Sequence, residues 1–421
     1  MQKLLIKGKK ELSGTILISG SKNASLPILA ASLLAKEVKL HNVPLVKDIF
    51  TMLELLKFIG INLKVNKNKK IIILKKKKKI KTLAPYKLVK TMRAGVLVLG
   101  PLLTKYKSAK VSLPGGCAIG TRPVDLHLFA LKKLGAKIKI KDGYIIAEAK
   151  KGLKGAKIKF PTVSVGATEN ALLASHGAKG KTILSNCAIE PEIIDLISFL
   201  KKLGSKINIS GRKISVIGCR STSKKINHKI IFDRIEAGTY LVAGSLLSKK
   251  IIIKQIEPNI LKFEIGVLKK MGVKLEISKN SITIFRSKKL KKIKLTTKPF
   301  PGFPTDLQAQ FMVLMTQASG LSKIKENIFE NRFMHVPELK RMGAKILIKN
   351  KTAYIQGPSK LNGAEVMATD LRASVSLVLA GLIANNRTII NRIYHLDRGY
   401  ETLEKKLKKC KAEIKRVQHG G

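Results

Sequence analysis

A short segment recurs six times along the chain and constrains its fold more than any other feature. In each copy an amphipathic, helix-like stretch ends at a glycine, and an alternating, strand-like stretch follows, as in residues 132–140. A glycine can end a helix in the left-handed conformation, so each copy predicts a helix followed by a strand. Five copies carry a glycine and the sixth carries a lysine, at intervals of 75, 69, 68, 71 and 68 residues: Gly60, Gly135, Gly204, Gly272, Gly343 and Lys411. The chain is therefore predicted to contain six α+β units of about 70 residues.

The repeat also predicts the domain organisation. Three units per domain give two domains of about 200 residues, which is an ordinary domain size. Helices rich in small residues are predicted at 24–34, 167–175 and 372–384, where Ala, Ser and Gly allow close backbone approach. The polar stretch 221–228 is the best candidate for a linker between the third and fourth units. The lysine run at 75–79 is interpreted as a solvated turn.

Net charge raises the question of a nucleic-acid partner. The 421 residues include 83 Lys+Arg and 26 Asp+Glu, a formal charge of +57. Nucleic-acid surfaces rely on Arg for bidentate contacts and on aromatic side chains for stacking. Only 13 of the basic residues here are Arg, there is no Trp, and Lys is spread along nearly every segment, as codon drift would produce. A nucleic-acid-binding module is therefore the weaker alternative, and no nucleic-acid partner is expected.

Hydropathy and cysteine content narrow the class further. Hydrophobic residues make up 45% of the chain, enough to form a core and to exclude intrinsic disorder. No apolar run reaches the roughly 18 residues that span a bilayer, and the basic N-terminus lacks an apolar core of signal-peptide length. The four cysteines show no CxxC pairing, so neither a zinc site nor a disulfide framework is indicated. We expect a cytoplasmic globular protein.

The segment 113–123 is the least ordinary one. Three glycines and two bracketing prolines predict a loop, and a cysteine in a loop is exposed rather than buried. Arg122, five residues after Cys117, is expected to lower the pKa of its thiol and so to favour the reactive thiolate form. The alternative interpretation is a plain surface loop with an incidental cysteine. The remaining cysteines are interpreted as core residues: Cys187, Cys219 and Cys410.

The arginines are informative in a chain that uses Lys for most positive charges. An Arg is needed where a planar, bidentate donor must hold a carboxylate or a phosphate, although a structural ion pair can also require one. Five stand in motif-like contexts: Arg93, Arg122, Arg332, Arg372 and Arg398. Three others are interpreted as solvated: Arg212, Arg286 and Arg416.

Several motifs together resemble a known family. They are ISGSKNA at 18–24, PGGC at 114–117, RPVDLH at 122–127, PTD at 304–306 and DLR at 370–372. These segments are similar to those of the UDP-N-acetylglucosamine 1-carboxyvinyltransferase family of the EPSP synthase superfamily, and the likeness extends to residues 394–400. It implies a two-domain inside-out α/β barrel, consistent with the six repeats. The implied domains are 22–229, and 1–21 together with 230–421.

The resemblance implies a reaction and two reacting residues. The family moves the enolpyruvyl group of phosphoenolpyruvate to the 3'-hydroxyl of UDP-N-acetylglucosamine and releases phosphate. Cys117 is implied as the proton donor, as the site of a covalent phospholactoyl adduct and as the target of fosfomycin. Asp306 is implied near the hydroxyl, where it either acts as a base or only orients that hydroxyl. No metal and no organic cofactor is implied.

The same resemblance implies the binding residues and the partners. Phosphoenolpyruvate is matched by Lys22, Asn23, Arg122, Arg332, Arg372 and Arg398. UDP-N-acetylglucosamine is matched by Arg93, Arg122, Pro123, Val124, Asp125, Leu126, Thr162, Val163, Ser164, Val165, Asp306 and Ile328, and Asp370 is a further active-site residue. The expected partners are these two small molecules, with no membrane and no obligate protein partner. The sister enolpyruvyl transferase of aromatic amino-acid synthesis is the rival enzyme, but it lacks the PGGC and RPVDLH segments.

Overall fold

The computed structural model describes residues 2–115, 124–219, 224–287 and 289–418. They form two compact units. The N-terminal unit contains residues 20–115, 124–219 and 224–231, and the C-terminal unit contains residues 2–19, 232–287 and 289–418. Each unit has its own hydrophobic core.

The strands of the described residues are short. In chain order they are β1 Gln2–Lys7, β2 Leu12–Leu17, β3 Glu37–His41, β4 Ile61–Asn66, β5 Ile71–Lys76, β6 Leu83–Ala84, β7 Ser108–Ser112, β8 Lys137–Lys141, β9 Tyr144–Glu148, β10 Lys157–Lys159, β11 Lys181–Ser185, β12 Lys206–Ser210 and β13 Lys213–Ile217. They continue with β14 Lys225–Lys229, β15 Ser248–Lys254, β16 Leu275–Ser278, β17 Ser281–Phe285, β18 Leu290–Lys291, β19 Lys294–Thr296, β20 Ala318–Lys325, β21 Lys345–Lys349, β22 Thr352–Gly357, β23 Glu365–Met367, β24 Arg387–Asn391 and β25 Glu413–Gln418.

The helices of the same residues alternate with these strands. They are α1 Lys22–Ala31, α2 Lys47–Ile59, α3 Tyr86–Val89, α4 Leu99–Tyr106, α5 Asp125–Lys133, α6 Val165–Ser175, α7 Pro191–Lys202, α8 Arg234–Leu247, α9 Lys262–Lys270, α10 Gln308–Met315, α11 Val336–Arg341, α12 Leu371–Ile383 and α13 Leu403–Lys409. Short 3-10 helices are found at Ser32–Leu34, Arg93–Val98, Pro258–Leu261, Thr305–Leu307 and Ile393–Arg398. None of the helices in the described ranges is long and apolar enough to cross a bilayer.

Each unit contains three sheets built on one plan. The strand orders are β14-β3-β5-β4, β6-β7-β9-β8 and β10-β11-β13-β12 in the N-terminal unit, and β2-β15-β17-β16, β18-β20-β22-β21 and β23-β24-β1-β25 in the C-terminal unit, where β19 also pairs with β20. In every one of these sheets the first two strands are parallel, and the next two pairings are antiparallel. The strand that follows the repeat glycine, or Lys411 in the sixth copy, lies at one edge of its sheet. The repeat is therefore a repeat of three-dimensional structure.

The repeat glycines adopt the conformation that their position demands. Their φ angles lie between 88° and 127°, a backbone conformation that residues with a Cβ atom avoid. Lys411 takes the sixth position with a φ of 70°. Because an L-residue pays a steric cost of about 1 kcal/mol or more there, the sixth turn keeps its shape without the residue that suits it best.

The small-residue helices lie inside each unit. Nearly every residue of α1, α6, α8, α10 and α12 is buried. The sheets lie outside them and expose alternate residues, such as Lys137 and Lys139 of β8, although Ile140 is also 56% exposed. Helices inside and sheets outside are the inside-out α/β barrel that the family resemblance implies, so the predicted fold class is confirmed.

Two local predictions are corrected by the structure. Of the predicted linker, residues 221–223 lie outside the described residues, while Lys225–Lys229 forms β14, which pairs in parallel with β3. Pairing with a strand distant in sequence is invisible to local composition, so the linker prediction is wrong for these residues. The lysine run also begins in a strand: Lys75 and Lys76 end β5, and only residues 77–79 lie beyond it.

Candidate active site

The predicted site residues are divided between the two units. Cys117, Arg122 and Pro123 lie outside the described residues. The N-terminal unit carries Lys22, Asn23, Arg93, Val124, Asp125, Leu126, Thr162, Val163, Ser164 and Val165. The C-terminal unit carries Asp306, Ile328, Arg332, Asp370, Arg372 and Arg398. Each group is described within its own unit.

Asp306 is held by two arginines in the C-terminal unit. It lies in the 3-10 turn Thr305–Leu307 that leads into α10, and its side chain is 28% exposed. Arg332 donates from Nη2 to Oδ1 at 2.7 Å, and Arg372 donates from Nη2 to Oδ2 at 2.9 Å. Both arginine side chains are almost fully buried. Because a guanidinium has five N–H donors, this pair can bind an anionic group while it still holds Asp306.

Arg372 is the centre of a buried polar network. It is the second residue of α12, and its Nη1 donates to the Tyr400 hydroxyl at 3.2 Å. Thr239 and Gln310 also contact that hydroxyl, at 2.9 and 3.3 Å. Burial alone lowers the pKa of Arg372, but the charge of Asp306 outweighs it and raises that pKa above its ordinary value. The guanidinium is therefore a permanent cation in a fixed orientation.

The charges of Asp370 and Arg332 both affect the pKa of a buried histidine. Asp370 caps α12, where its Oδ1 accepts from the backbone N–H groups of Arg372 and Ala373 at 2.7 and 3.1 Å. His335, 1% exposed, immediately precedes α11. Burial lowers the pKa of His335 to about 4; the charge of Asp370 opposes this shift and the charge of Arg332 adds to it. His335 is thus a neutral group beside two predicted site residues.

Lys22 forms a buried ion pair in the N-terminal unit. It is the first residue of α1, after the capping residue Ser21, whose Oγ accepts from the Ala24 N–H at 3.2 Å. Its ammonium lies 3.1 Å from Oδ2 of Asp48, in the first turn of α2. The two side chains are 11% and 8% exposed. The pair fixes a positive charge at the start of a buried helix.

Asn170 of α6 contacts two of the segments that carry predicted nucleotide-sugar residues of this unit. Its Nδ2 donates to the Val96 carbonyl at 3.1 Å and lies 3.2 Å from Nδ1 of His127. Val96 belongs to the turn Arg93–Val98, and His127 to the helix that begins at Asp125. Burial, together with the charge of Arg93, lowers the pKa of His127 to about 3. Asn170 therefore joins three segments that carry predicted binding residues.

At the start of α6, Ser164 caps the helix by accepting from the Ala167 N–H at 3.3 Å. Thr162 and Val165 are exposed, and Val163 is half-buried. These residues follow β10 and lie at the start of α6. The N-terminal end of a helix carries a partial positive charge, so it favours an anionic group. They are open to a ligand.

Several functional candidates were not predicted from the sequence. Asn170 and Glu169 are polar residues inside an Ala-rich helix, and that contrast is the signal that could have identified them. Glu169 is buried, and burial, with the charges of Glu192 and Glu190, raises its pKa well above the ordinary value. Asp48 gives no comparable signal, since an acidic residue in the first turn of a helix is common.

Two predictions about isolated residues also change. The sequence predicts a solvated Arg416, and this is wrong: its side chain is 22% exposed and binds Asp397 and Glu404. Cys187 and Cys410 are fully buried, as predicted for core residues, whereas Cys219 is only half-buried. Arg286 is 80% exposed, as predicted.

Comparison with known proteins gives a consistent picture over the whole chain. A family model described as EPSP synthase (3-phosphoshikimate 1-carboxyvinyltransferase) matches residues 6–407. The UDP-N-acetylglucosamine 1-carboxyvinyltransferases of Pelagibacter ubique (strain HTCC1062) and Rickettsia akari (strain Hartford) are 59% and 50% identical over 418 and 419 residues. These alignments cover 99% of this chain and 100% of each relative.

Solved structures show the same fold at lower identity. The enolpyruvyl transferase NikO from Streptomyces tendae is 24% identical, with a TM-score of 0.89 over 99% of both chains. EPSP synthase from Acinetobacter baumannii is 19% identical, with a TM-score of 0.78 over 99% of this chain and 100% of its own. At these identities the likeness shows the fold alone.

Proposed function

Since this chain belongs to the EPSP synthase family, and within it to the UDP-N-acetylglucosamine 1-carboxyvinyltransferases, we propose that it transfers the enolpyruvyl group of phosphoenolpyruvate to the 3'-hydroxyl of UDP-N-acetylglucosamine. Phosphate is the second product. The proposed place of this reaction is the cytoplasm, at the first committed step of peptidoglycan precursor synthesis and hence of cell-wall biogenesis.

The Asp306 cluster is the observation that carries the proposal. A carboxylate is held on one side by Arg332 and on the other by Arg372, both buried, in the segment that matches the family motif. Phosphoenolpyruvate presents a carboxylate and a phosphate, which are the natural partners of guanidinium groups. A carboxylate has about four lone-pair sites, so Asp306 can accept from a substrate hydroxyl while both arginines remain bound to it.

The N-terminal unit supplies a second set of supporting residues. The ammonium of Lys22 is anchored by Asp48, and as a point charge it matches a phosphate. The segments around Asn170 present Arg93, Asp125 and Ser164, which match the family's nucleotide-sugar contacts. Arg398, at the end of the turn Ile393–Arg398, matches a further phosphoenolpyruvate position.

The proposed chemistry is an addition followed by an elimination. The 3'-hydroxyl oxygen bonds to C2 of phosphoenolpyruvate, and C3 gains a proton, which gives a tetrahedral intermediate. Phosphate then leaves C2 and a proton leaves C3, which restores the double bond. We assign the proton donated to C3 to Cys117. In the covalent phospholactoyl adduct the Cys117 thiol adds across the double bond, so that its sulfur bonds to C2 and its proton goes to C3. Asp306 either takes the hydroxyl proton or only orients the hydroxyl.

Phosphate release from the purified protein tests this proposal. We expect release only when both phosphoenolpyruvate and UDP-N-acetylglucosamine are present. The Cys117→Ser variant is expected to lose most of the activity, and fosfomycin is expected to inactivate the wild type but to leave the residual activity of Cys117→Ser unchanged.

Three outcomes would contradict the proposal or one of its parts. Release that requires shikimate 3-phosphate instead of the nucleotide sugar would assign the rival reaction. Release from phosphoenolpyruvate alone would exclude a transferase reaction. Full activity of Cys117→Ser would exclude the proton-donor role of that cysteine while leaving the overall reaction intact.

A further inference from the structure

Glu326 is a buried carboxylate in the C-terminal unit that lies outside the family motifs identified above. It directly follows β20 and is 1% exposed. Its Oε1 accepts from the Thr297 hydroxyl at 2.9 Å and from the backbone N–H groups of Ile328 and Phe329 at 2.8 and 3.1 Å. Its Oε2 accepts from the Thr305 hydroxyl at 3.0 Å. Four donors from three separate segments therefore converge on one carboxylate.

All four donors of Glu326 are uncharged. Within the described part of the chain, the hydrogen bonds to Glu326 come from two hydroxyls and two backbone N–H groups, and none comes from a Lys, Arg or His side chain. Burying a carboxylate without a cation is costly, and hydrogen bonds must offset that cost. A glutamine could not replace it fully, because an amide has one acceptor oxygen and no charge, and its NH2 group could bond the Thr305 hydroxyl only if that hydroxyl turned to accept. With its four donors as they stand, the position favours a group that accepts on both sides.

The segments joined by Glu326 carry the predicted reaction site. Thr305 directly precedes Asp306 in the turn that begins α10. Ile328, 36% exposed, is a predicted nucleotide-sugar contact, and Arg332 follows it by four residues. Because the Ile328 N–H donates to Glu326, Ile328 can offer its side chain and its carbonyl oxygen to a ligand, but not its N–H.

We propose that Glu326 is a positioning residue for the acceptor-sugar side of the active site. It fixes Asp306 through the Thr305 hydroxyl, and it fixes the Ile328 segment through two backbone N–H groups. The inference rests on the proposed function, because it takes Asp306 and Ile328 to contact UDP-N-acetylglucosamine. We call the hydrogen bond from the Thr305 hydroxyl the Thr305 arm, and the hydrogen bonds from the backbone N–H groups of Ile328 and Phe329 the Ile328 arm. The Thr305 arm affects turnover, and the Ile328 arm affects binding of the nucleotide sugar.

Steady-state kinetics of three variants test this division. Thr305→Val removes one donor, and we expect kcat to fall about tenfold or more, the effect of one hydrogen bond to a charged group, with a smaller change in KM for UDP-N-acetylglucosamine. Thr305→Ser keeps the hydroxyl and is expected to restore kcat. Glu326→Gln disturbs both arms, so it is expected to lower kcat and also to raise that KM.

Thr388→Val is the matched control. Thr388 is a fully buried threonine of β24 in the same unit, and its hydroxyl has no hydrogen-bond partner in the described residues. We expect its kinetics to equal those of the wild type. Melting temperatures of all variants are recorded, and kcat is measured well below every transition, so that loss of folded protein does not mimic loss of turnover. A purely structural role would change the melting temperatures and leave kcat and KM unchanged.

The outcomes separate the inference from the proposed function. If the wild type turns over both substrates and Thr305→Val and Glu326→Gln match it in kcat and KM, the inference is wrong and the proposed function stands. If Thr305→Ser is as slow as Thr305→Val, the hydroxyl contact is not responsible and the inference is again wrong. If the wild type neither binds UDP-N-acetylglucosamine by calorimetry nor releases phosphate, the proposed function fails and the inference falls with it.

Discussion

Arg416 of β25 forms a bidentate pair with Asp397, the residue before Arg398. Its Nη1 lies 2.9 Å from Oδ2 and its Nη2 lies 2.7 Å from Oδ1. The same guanidinium donates to both carboxylate oxygens of Glu404, at 3.1 and 3.2 Å. The last strand of the described residues is thereby tied to the turn that ends at a predicted phosphoenolpyruvate residue.

Arg416→Lys tests this tie. A lysine keeps the charge but cannot form parallel hydrogen bonds to a carboxylate, so the turn Ile393–Arg398 is expected to loosen. We expect KM for phosphoenolpyruvate to rise by a factor of about three to ten, with the melting temperature lowered by a few degrees. Arg286→Lys is the control, because Arg286 is 80% exposed and its contact with Glu11 is a surface pair. An unchanged KM in Arg416→Lys would show that the tie does not reach Arg398.

Asp306→Asn tests the centre of the cluster. The amide keeps the shape of the side chain but loses its charge, its basicity and one acceptor oxygen. We expect phosphate release to fall by about 10²- to 10⁴-fold, the usual contribution of a positioned acid–base group. Two buried arginines also lose their anion, so stability is expected to fall by about 3 kcal/mol. Asp142→Asn, at an exposed turn, is the control. If Asp306→Asn loses less than about tenfold of the rate of phosphate release, Asp306 orients the hydroxyl and does not act as its base.

His176 is expected to make stability depend on pH. Burial lowers its pKa to about 4, and the charges of Lys105 and Lys224 add to this shift. In the unfolded chain the imidazole takes up a proton as the pH falls below its ordinary pKa of 6.5, while the folded protein resists this protonation. The contribution of His176 to the free energy of unfolding is therefore complete above about pH 6.5, and it is lost as the pH falls from that value to about pH 4.

Denaturant unfolding of His176→Asn measures this contribution. From about pH 7.5 to about pH 5, the wild type should lose about 2 kcal/mol more unfolding free energy than the variant, which has no imidazole to titrate. The comparison of the two proteins removes the effect of other titrating groups. An equal pH dependence in both proteins would mean that His176 titrates normally in the folded state.

The buried thiols are expected to be unreactive in the native protein. Burial raises the pKa of Cys187 to about 12, against a smaller opposing effect of Arg212, and burial raises the pKa of Cys410 to about 11. The thiolate is the reactive form, so iodoacetamide should label neither residue at about pH 8 until denaturant is added. Mass spectrometry of the labelled peptides gives the measurement. Labelling of either residue at the same rate with and without denaturant would contradict the burial that protects them.

Much of the fold follows from local sequence, because the repeat describes local geometry. A helix that ends at a glycine and continues as an alternating strand can be read within about a dozen residues, and Gly60 to Gly343 adopt the predicted left-handed conformation. The candidate site residues come from short motifs, such as residues 304–306, that resemble those of the family, and their roles stay predictions. Even Lys411 follows the repeat, although its residue type argues against a positive φ.

The remainder was decided by tertiary structure, because it depends on partners far apart in the sequence. The polar segment Lys225–Lys229 becomes a strand only because Glu37–His41 is present to pair with it. Arg416 looks like a solvated residue until β25 lies beside Asp397, and Glu326 looks like an ordinary surface glutamate until Thr297 and Thr305 reach its oxygens. The sequence alone determines which groups need hydrogen-bond partners, and the tertiary structure decides which groups provide them.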